Sequence, residues 1–246
     1  MCWMEKGKTL FVLGASSDIG CGLIEAVADR YDTILGHYCH GNDRLDDLSR
    51  RLGEKLTLLQ ADFSDMDSVA RMTDHIKEEG WKPDHIVHFS APRCRNVKFI
   101  KCGWDDFGAG LDTSLEAPVR ILQAFLPDMV KQKYGKIIFM LTAYVDGKPP
   151  KFMSPYVTVK YALLGLMRSL AAEYADKGIT VNGVSPEMME TKFLQDIPEL
   201  VIRQNAAGSP LGRNLTVHDV IPAFSYLLSE AADCVTGQNL VITGGK

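Results

Sequence analysis

Tyr156 and Lys160 stand four residues apart in Tyr156-Val157-Thr158-Val159-Lys160. On a helix, positions i and i+4 share one face. A phenol with its ordinary pKa of about 10 is a poor acid–base at neutral pH. An ammonium one turn away stabilises the phenolate and brings the group into a usable range. Fourteen residues before Tyr156, Thr142 follows the apolar run 136–141 and can offer a hydroxyl to a carbonyl oxygen. Together the three suit protonation of a carbonyl under reduction. Tyr-x-x-x-Lys alone is as readily a chance surface pair; a hydroxyl residue at a strand tip and a glycine turn upstream make it specific.

That turn is Gly14-Ala15-Ser16-Ser17-Asp18-Ile19-Gly20, between an apolar run and a stretch of helical spacing. A glycine turn opening a helix aims backbone N–H groups at a pyrophosphate, with the helix dipole assisting. Gly14 permits the tight turn and Gly20 close helix–strand packing. Downstream, Asp62 follows the third apolar run, where its carboxylate can accept from an adenine amino group or cap the next helix; Ser64 and Asp65 compete for that second role. Between His37 and Asn42 no Asp or Glu is placed to grip a ribose 2′-hydroxyl. This favours NADPH over NADH. No arginine stands at the strand end for the 2′-phosphate either, which leaves His40, Asn42 and Arg44 as candidates.

Positioning these groups requires strands that end where the chemistry begins. Runs at 9–14, 33–38, 55–60, 85–89, 136–141, 179–184 and 239–243 read as strands, and the first is apolar throughout, as in a strand buried on both faces. Helical spacing covers 19–30, 43–52, 65–79, 104–133, 154–177, 190–206 and 216–230. Such alternation predicts an α/β fold, a single doubly wound parallel sheet with helices on both faces, over residues 1–246 as one domain. The composition agrees: 46 % hydrophobic and 24 % charged residues are ordinary for a globular protein, and a net charge of −4 argues against nucleic-acid or anionic-membrane partners. No apolar run reaches the ~18–20 residues of a membrane span. The run at 10–13 is short of a secretory core, so no leader is expected. Cysteines 2, 21, 39, 94, 102 and 234 lack Cys-x-x-Cys or metal spacing, which implies reduced thiols in the cytoplasm and no metal site. The long helices at 104–133 and 154–177 are apolar on more than one side (Leu115, Val119, Leu122, Phe125; Leu163, Leu166, Leu170), so a dimer or tetramer is expected.

With these residues in place, the sequence resembles the short-chain dehydrogenase/reductase family from Thr9 to Gly245. LGASSDIG is similar to T-G-x-x-x-G-x-G, DHIVHFSA to D-x-L-V-N-N-A-G, GKIIFMLTA to G-x-I-V-N-I-S-S, YVTVK to Y-x-x-x-K, and KGITVNGVSPEMMET to K-G-I-x-V-N-x-V-x-P-G-x-x-x-T. SPLGR and VTGQNLVITGG bring it close to the 3-oxoacyl-carrier-protein reductase type. The resemblance implies a Rossmann sheet ordered 3-2-1-4-5-6-7, a nicotinamide cofactor and a homotetramer. It implies Tyr156, Lys160, Thr142 and Ser114 as catalytic residues. It places the cofactor on Gly14, Ser16, Ser17, Asp18, Ile19, Gly20, His40, Asp62, Phe63, Ser90, Ala91, Lys160, Pro186, Met188, Met189 and Thr191.

Several positions depart from the family pattern. The second turn glycine is Asp18, whose carboxylate opposes a pyrophosphate unless it turns away. N-N-A-G is His88-Phe89-Ser90-Ala91, and the glycine after Pro186 is Glu187. The family asparagine that holds a water leading to the lysine aligns with Ser114. The substrate pocket is expected from Arg93, Arg95, Tyr144, Phe152, Met153, Met188, Met189 and Phe193, apolar enough for an acyl chain. Arg93, Arg95, Lys98 and Lys101 form a basic run that suits a phosphate, an acidic carrier protein or plain solvent. The expected function is reduction of a small-molecule or carrier-bound carbonyl. The alternatives are a weakened, assembly-type family member, supported by Asp18, Ser114 and Glu187, and a sugar or polyol dehydrogenase.

Overall fold

The structure is a computed structural model and describes residues 8–92 and 96–246. Seven strands form one parallel sheet: β1 (Thr9–Leu13), β2 (Thr33–Tyr38), β3 (Leu56–Gln60), β4 (His85–His88), β5 (Gly135–Met140), β6 (Ile179–Pro186) and β7 (Asn239–Ile242). Their order is β3-β2-β1-β4-β5-β6-β7, the order implied by the family resemblance. The strand order reverses beside β1, so the connections that follow β1 and β4 leave on opposite faces of the sheet and open a crevice at the strands' carboxyl ends.

Side-chain alternation along β1 sorts the core. Leu10 and Val12 face one way, with Ile34 of β2, Val87 of β4 and Val184 of β6. Against them pack α1 (Asp18–Val27), α2 (Asp43–Leu52) and α8 (Val217–Leu227), through Leu23, Leu45, Leu48 and Phe224. Phe11 and Leu13 face the other way, onto α3 (Met66–Glu78), α5 (Ala117–Gln132) and α6 (Ser154–Tyr174). Phe11 meets Phe125 of α5 edge to face at 6.0 Å.

Two helices differ from expectation. The stretch 104–133 is not one helix: α4 (Trp104–Leu111) ends in a π-helical turn, Asp112–Glu116, before α5 begins. The Ala117 N–H reaches back five residues to the Asp112 carbonyl, which widens the turn and buries Ser114. Periodicity cannot register one five-residue turn inside an apolar repeat. Similarly, 190–206 starts with a 3-10 turn, Lys192–Leu194, and becomes α7 only at Glu199–Ala207, after Pro198. Among the described residues no helix is long and apolar enough to cross a membrane, and no group of three or more His, Cys, Asp or Glu could hold a metal ion.

Candidate active site

The crevice holds a cavity of about 760 Å³ that runs from the glycine turn after β1 to the start of α6. Every residue that the resemblance assigns to catalysis or to the cofactor lines it except Gly20 and Ser114. At one end, Gly14 takes φ +91°, a conformation open to glycine. Ser17 caps α1: its Oγ accepts from the Gly20 N–H at 3.0 Å and donates to the Gly14 carbonyl at 2.7 Å. Gly20 lies beneath the turn rather than on the cavity wall. A Cβ there would run into the Gly14 carbonyl oxygen and lie 2.9 Å from the Ala15 Cα. Gly20→Ala is therefore expected to cost about 1–3 kcal/mol of stability through overpacking. The displaced turn should also weaken dinucleotide binding at least tenfold; thermal unfolding and NADPH fluorescence titration read the two effects.

Asp18 does turn aside. Its Oδ2 accepts from the Lys192 N–H at 2.7 Å, which ties the first turn of α1 to the loop after β6. Glu187 is likewise committed: its carboxylate pairs with Lys246 at 3.1 Å, and Lys246 also donates to Asn205. Glu187 is thus paired with a cation, and Asp18 is engaged by a backbone N–H.

His37 has a role that no motif signals. Its Nδ1 accepts from the Gly14 N–H at 3.1 Å, Nε2 bonds the Ala61 carbonyl at 3.1 Å, and the ring stacks on Phe63 at 3.7 Å. Burial lowers its pKa to about 4, so a neutral imidazole braces the turn. Asn42 caps α2 by accepting from the Leu45 N–H, and it donates to the Ser16 carbonyl at 2.7 Å. Arg44 pairs with Glu25 at 2.9 Å and bonds the Asp18 carbonyl. Of the three candidates for a 2′-phosphate, only His40 lines the cavity. Asp62 stays exposed. Hydrogen bonds from the Ser64 N–H and Oγ hold its carboxyl below the usual range, while Asp65 caps α3.

At the other end, Ser154 and Pro155 open α6, which puts Tyr156 in the first turn and Lys160 in the second. Lys160 is 3 % exposed. Its Nζ donates to the Met140 carbonyl at 2.8 Å and lies 5.7 Å from the centre of the Tyr156 ring. Thr142, beyond β5, is buried and accepts from the Tyr144 N–H only at 3.5 Å, so its hydroxyl hydrogen remains for a ligand. Ser114 does not reach the cavity; its Oγ donates to the Ser90 carbonyl at 3.3 Å, one shell behind. Tyr144, Met153, Met188, Met189 and Phe193 line the substrate end, and Phe193 lies 6.0 Å from Tyr156, ring to ring. Phe152, expected there too, is instead 44 % exposed with φ +70°, because the chain turns outward before α6. Arg93 and Arg95 lie outside the described residues; Lys98 and Lys101 are exposed.

Comparison with known proteins agrees with this geometry. Residues 14–246 match the family model described as enoyl-(acyl carrier protein) reductase. The chain is 30 % identical over 251 residues to oxidoreductase UcpA of Salmonella typhimurium, covering 98 % of this chain and 94 % of that protein. It is 28 % identical to the 3-oxoacyl-[acyl-carrier-protein] reductase FabG of the same organism, covering 98 % and 97 %. In fold it is similar to 4-hydroxyisoleucine dehydrogenase complexed with NADH (TM-score 0.87, 23 % identity, 97 % and 98 % covered). YwfH, an NADPH-dependent reductase of bacilysin biosynthesis, is similar as well (TM-score 0.86, 21 % identity, 98 % of each chain). A dinucleotide turn, a Tyr–Lys pair one helical turn apart and a strand-tip hydroxyl on one crevice, carried on this sheet order, make the chain a member of the short-chain dehydrogenase/reductase family, similar to 3-oxoacyl-[acyl-carrier-protein] reductase.

Proposed function

We propose that this protein is an NADPH-dependent reductase that converts the carbonyl of an acyl-type substrate, such as a 3-oxoacyl thioester, to an alcohol. The observation that carries this reading is the convergence of Tyr156, Lys160 and Thr142 on the same cavity as the Gly14 turn. The residues present fit a nicotinamide dinucleotide. A Cβ at Gly14 would come within 3.0 Å of the Ser90 backbone nitrogen, so the bare glycine leaves room where the chain is tightest. The first turn of α1 supplies N–H groups for a pyrophosphate. Ser16, Ser17 and Ile19 would hold the phosphates, Asp62, Phe63 and His40 the adenosine end, and Ser90, Ala91, Pro186, Met188, Met189 and Thr191 the nicotinamide half. When bound, the cofactor supplies the hydride.

The chain's own residues do the rest. Thr142 donates to the substrate carbonyl oxygen and orients it. Tyr156 gives its phenolic proton to that oxygen as negative charge develops there. Lys160, its ammonium anchored on the Met140 carbonyl, stabilises the phenolate left behind. The thioether and aromatic lining of Met153, Met188, Met189 and Phe193 suits an apolar chain and adapts to its shape. A carrier-bound substrate is supported by the exposed Lys98 and Lys101, which follow Asn96 of the cavity wall in the chain. The internal partners of Asp18 and Glu187 favour a working enzyme over a weakened assembly subunit.

Fluorescence titration tests the cofactor assignment. NADPH is expected to bind more tightly than NADH, because no carboxylate lines the cavity between His37 and Asn42 and His40 does. A lower Kd for NADH overturns the NADPH assignment, and binding of neither overturns the reductase reading. Self-association to a dimer or tetramer is part of the proposal. Its support is the exposure of Phe99 and Ile100, in the 3-10 turn before α4, and of Trp104 at its start, at 68 %, 87 % and 75 %. A reducing, cytoplasmic setting is supported by Cys21, Cys39, Cys102 and Cys234, which are free; burial pushes the Cys21 thiol up to about 11.

A further inference from the structure

Three histidines are buried: His37, His85 and His88. His37 bonds through both ring nitrogens, as described. His85, near the opposite end of the sheet, bonds Tyr31 Oη through Nδ1 at 2.6 Å and Tyr134 Oη through Nε2 at 2.9 Å. His88 is different. It is 1 % exposed, and neither Nδ1 nor Nε2 has a partner among the described residues. A buried imidazole left this way bears the desolvation of a donor and an acceptor with nothing in return. Mere packing would be served better by a hydrocarbon. Its in-register neighbours on β1 and β5 are just that, Leu13 and Phe139, and the ring lies edge-on to Phe139 at 6.0 Å.

The surroundings say what the ring is for. Leu13 and Phe139 belong to the core under α5 and α6, so His88 points to the side that carries Lys160. Burial above all, with the Lys160 charge adding to it, keeps the His88 imidazole neutral. A neutral imidazole offers one N–H and one lone pair. Two residues further on, Ser90 Oγ is also buried without a partner, and the Ser90 carbonyl receives the Ser114 hydroxyl at 3.3 Å. The end of β4 thus carries two buried side chains with unsatisfied atoms, His88 and Ser90; the Ser90 carbonyl takes the hydroxyl of the π-helical turn, and His88 faces the side of the sheet that α6 covers.

We propose that His88 is a positioning residue for Lys160: with Ser90 and Ser114 it seats an internal water that hydrogen-bonds the lysine ammonium from behind. The water donates to the imidazole lone pair and accepts from Nζ, so the ammonium is held between this water, the Met140 carbonyl and the phenol. His88 takes over the support that the family pattern gives to the asparagine replaced here by Ser114. The proposal rests on the reductase reading of Tyr156 and Lys160.

Two measurements test it. In ¹⁵N-histidine NMR of the whole protein without cofactor, the pyridine-type nitrogen of His88 should resonate as hydrogen-bonded. A free-nitrogen signal overturns the proposal, whatever the enzyme does. In kinetics, His88→Leu should fold with an unchanged or higher Tm, because it removes two unsatisfied groups. Its kcat should fall about tenfold, with substrate KM and NADPH Kd within twofold of wild type. His88→Asn, which restores an amide to hold the water, should recover most of that kcat. A His88→Leu protein with wild-type kcat overturns the proposal; so does a loss in which kcat and KM change together and asparagine gives no rescue, because that is the mark of a packing role. Should His88→Leu fail to fold, His88→Asn decides through the same kcat and KM comparison with wild type. A wild-type chain that reduces no carbonyl while its His88 signal is hydrogen-bonded removes the reductase reading and the role assigned to Lys160 with it, leaving only the water site.

Discussion

Tyr156→Phe should abolish carbonyl reduction and leave NADPH affinity within about twofold of wild type. The substitution removes one hydroxyl and keeps the ring, which is half-buried in the first turn of α6 and packs 6.0 Å from Phe193. The ring keeps its packing against Phe193, so the Tm should stay close to that of the wild type. The rate is another matter. Proton transfer by a positioned side chain contributes ~10²–10⁴-fold, which corresponds to about 3–5 kcal/mol of barrier. The assay is NADPH oxidation followed by absorbance over a panel of 3-oxoacyl thioesters and simple ketones. Wild-type turnover by Tyr156→Phe on any of them would take the hydroxyl out of the mechanism and reduce Tyr-x-x-x-Lys to inherited packing.

Lys160→Met should damage two things at once. The ammonium is anchored on the Met140 carbonyl at 2.8 Å and lies 5.7 Å from the Tyr156 ring. Removing it takes away the charge that stabilises the phenolate, and the rate should drop by at least about 10². The family resemblance also gives this lysine a hold on the cofactor ribose, so NADPH affinity should weaken roughly tenfold, or about 1.4 kcal/mol. Methionine fills much of the volume of the aliphatic stem, so the chain should fold, with a modest cost from the Met140 carbonyl losing this donor. Stopped-flow single turnovers separate the two effects. A variant that loses rate but binds NADPH as the wild type does would cancel the second role and keep the first.

The two substitutions concern the most local part of the site, and this is why it was legible. Tyr156 and Lys160 share a face because a helix repeats every 3.6 residues, and the Ser154-Pro155 start is a local signal as well. The strands were readable for a similar reason: a short apolar run flanked by polar residues can be buried on both sides of a sheet and in few other ways. Their order is the one the family resemblance implies, and short right-handed crossovers leave little room for another arrangement. Even the errors at element ends are local. Lys192–Leu194 and Glu199–Ala207 look like one helix in sequence because apolar spacing continues across Pro198.

What only the tertiary structure decided is every feature that needs two distant segments. Asp18 looked like a defect in a phosphate-binding turn until its partner, the Lys192 N–H, came to it from 174 residues away. Glu187 looked the same until Lys246 closed on it. Asn42 and Arg44 were free candidates for a phosphate in the sequence, but the fold uses one on α2 and Ser16 and the other on Glu25. Ser114 could be placed on a helix but not in a π-helical turn aimed at Ser90. His37 and His88 are two histidines 51 positions apart in the chain until parallel pairing sets both against Leu13, one bonded at each nitrogen and one at neither. Periodicity and spacing determine which face of an element a side chain occupies; the identity of its partner depends on register and crossover, and those are settled only when the whole sheet closes its core.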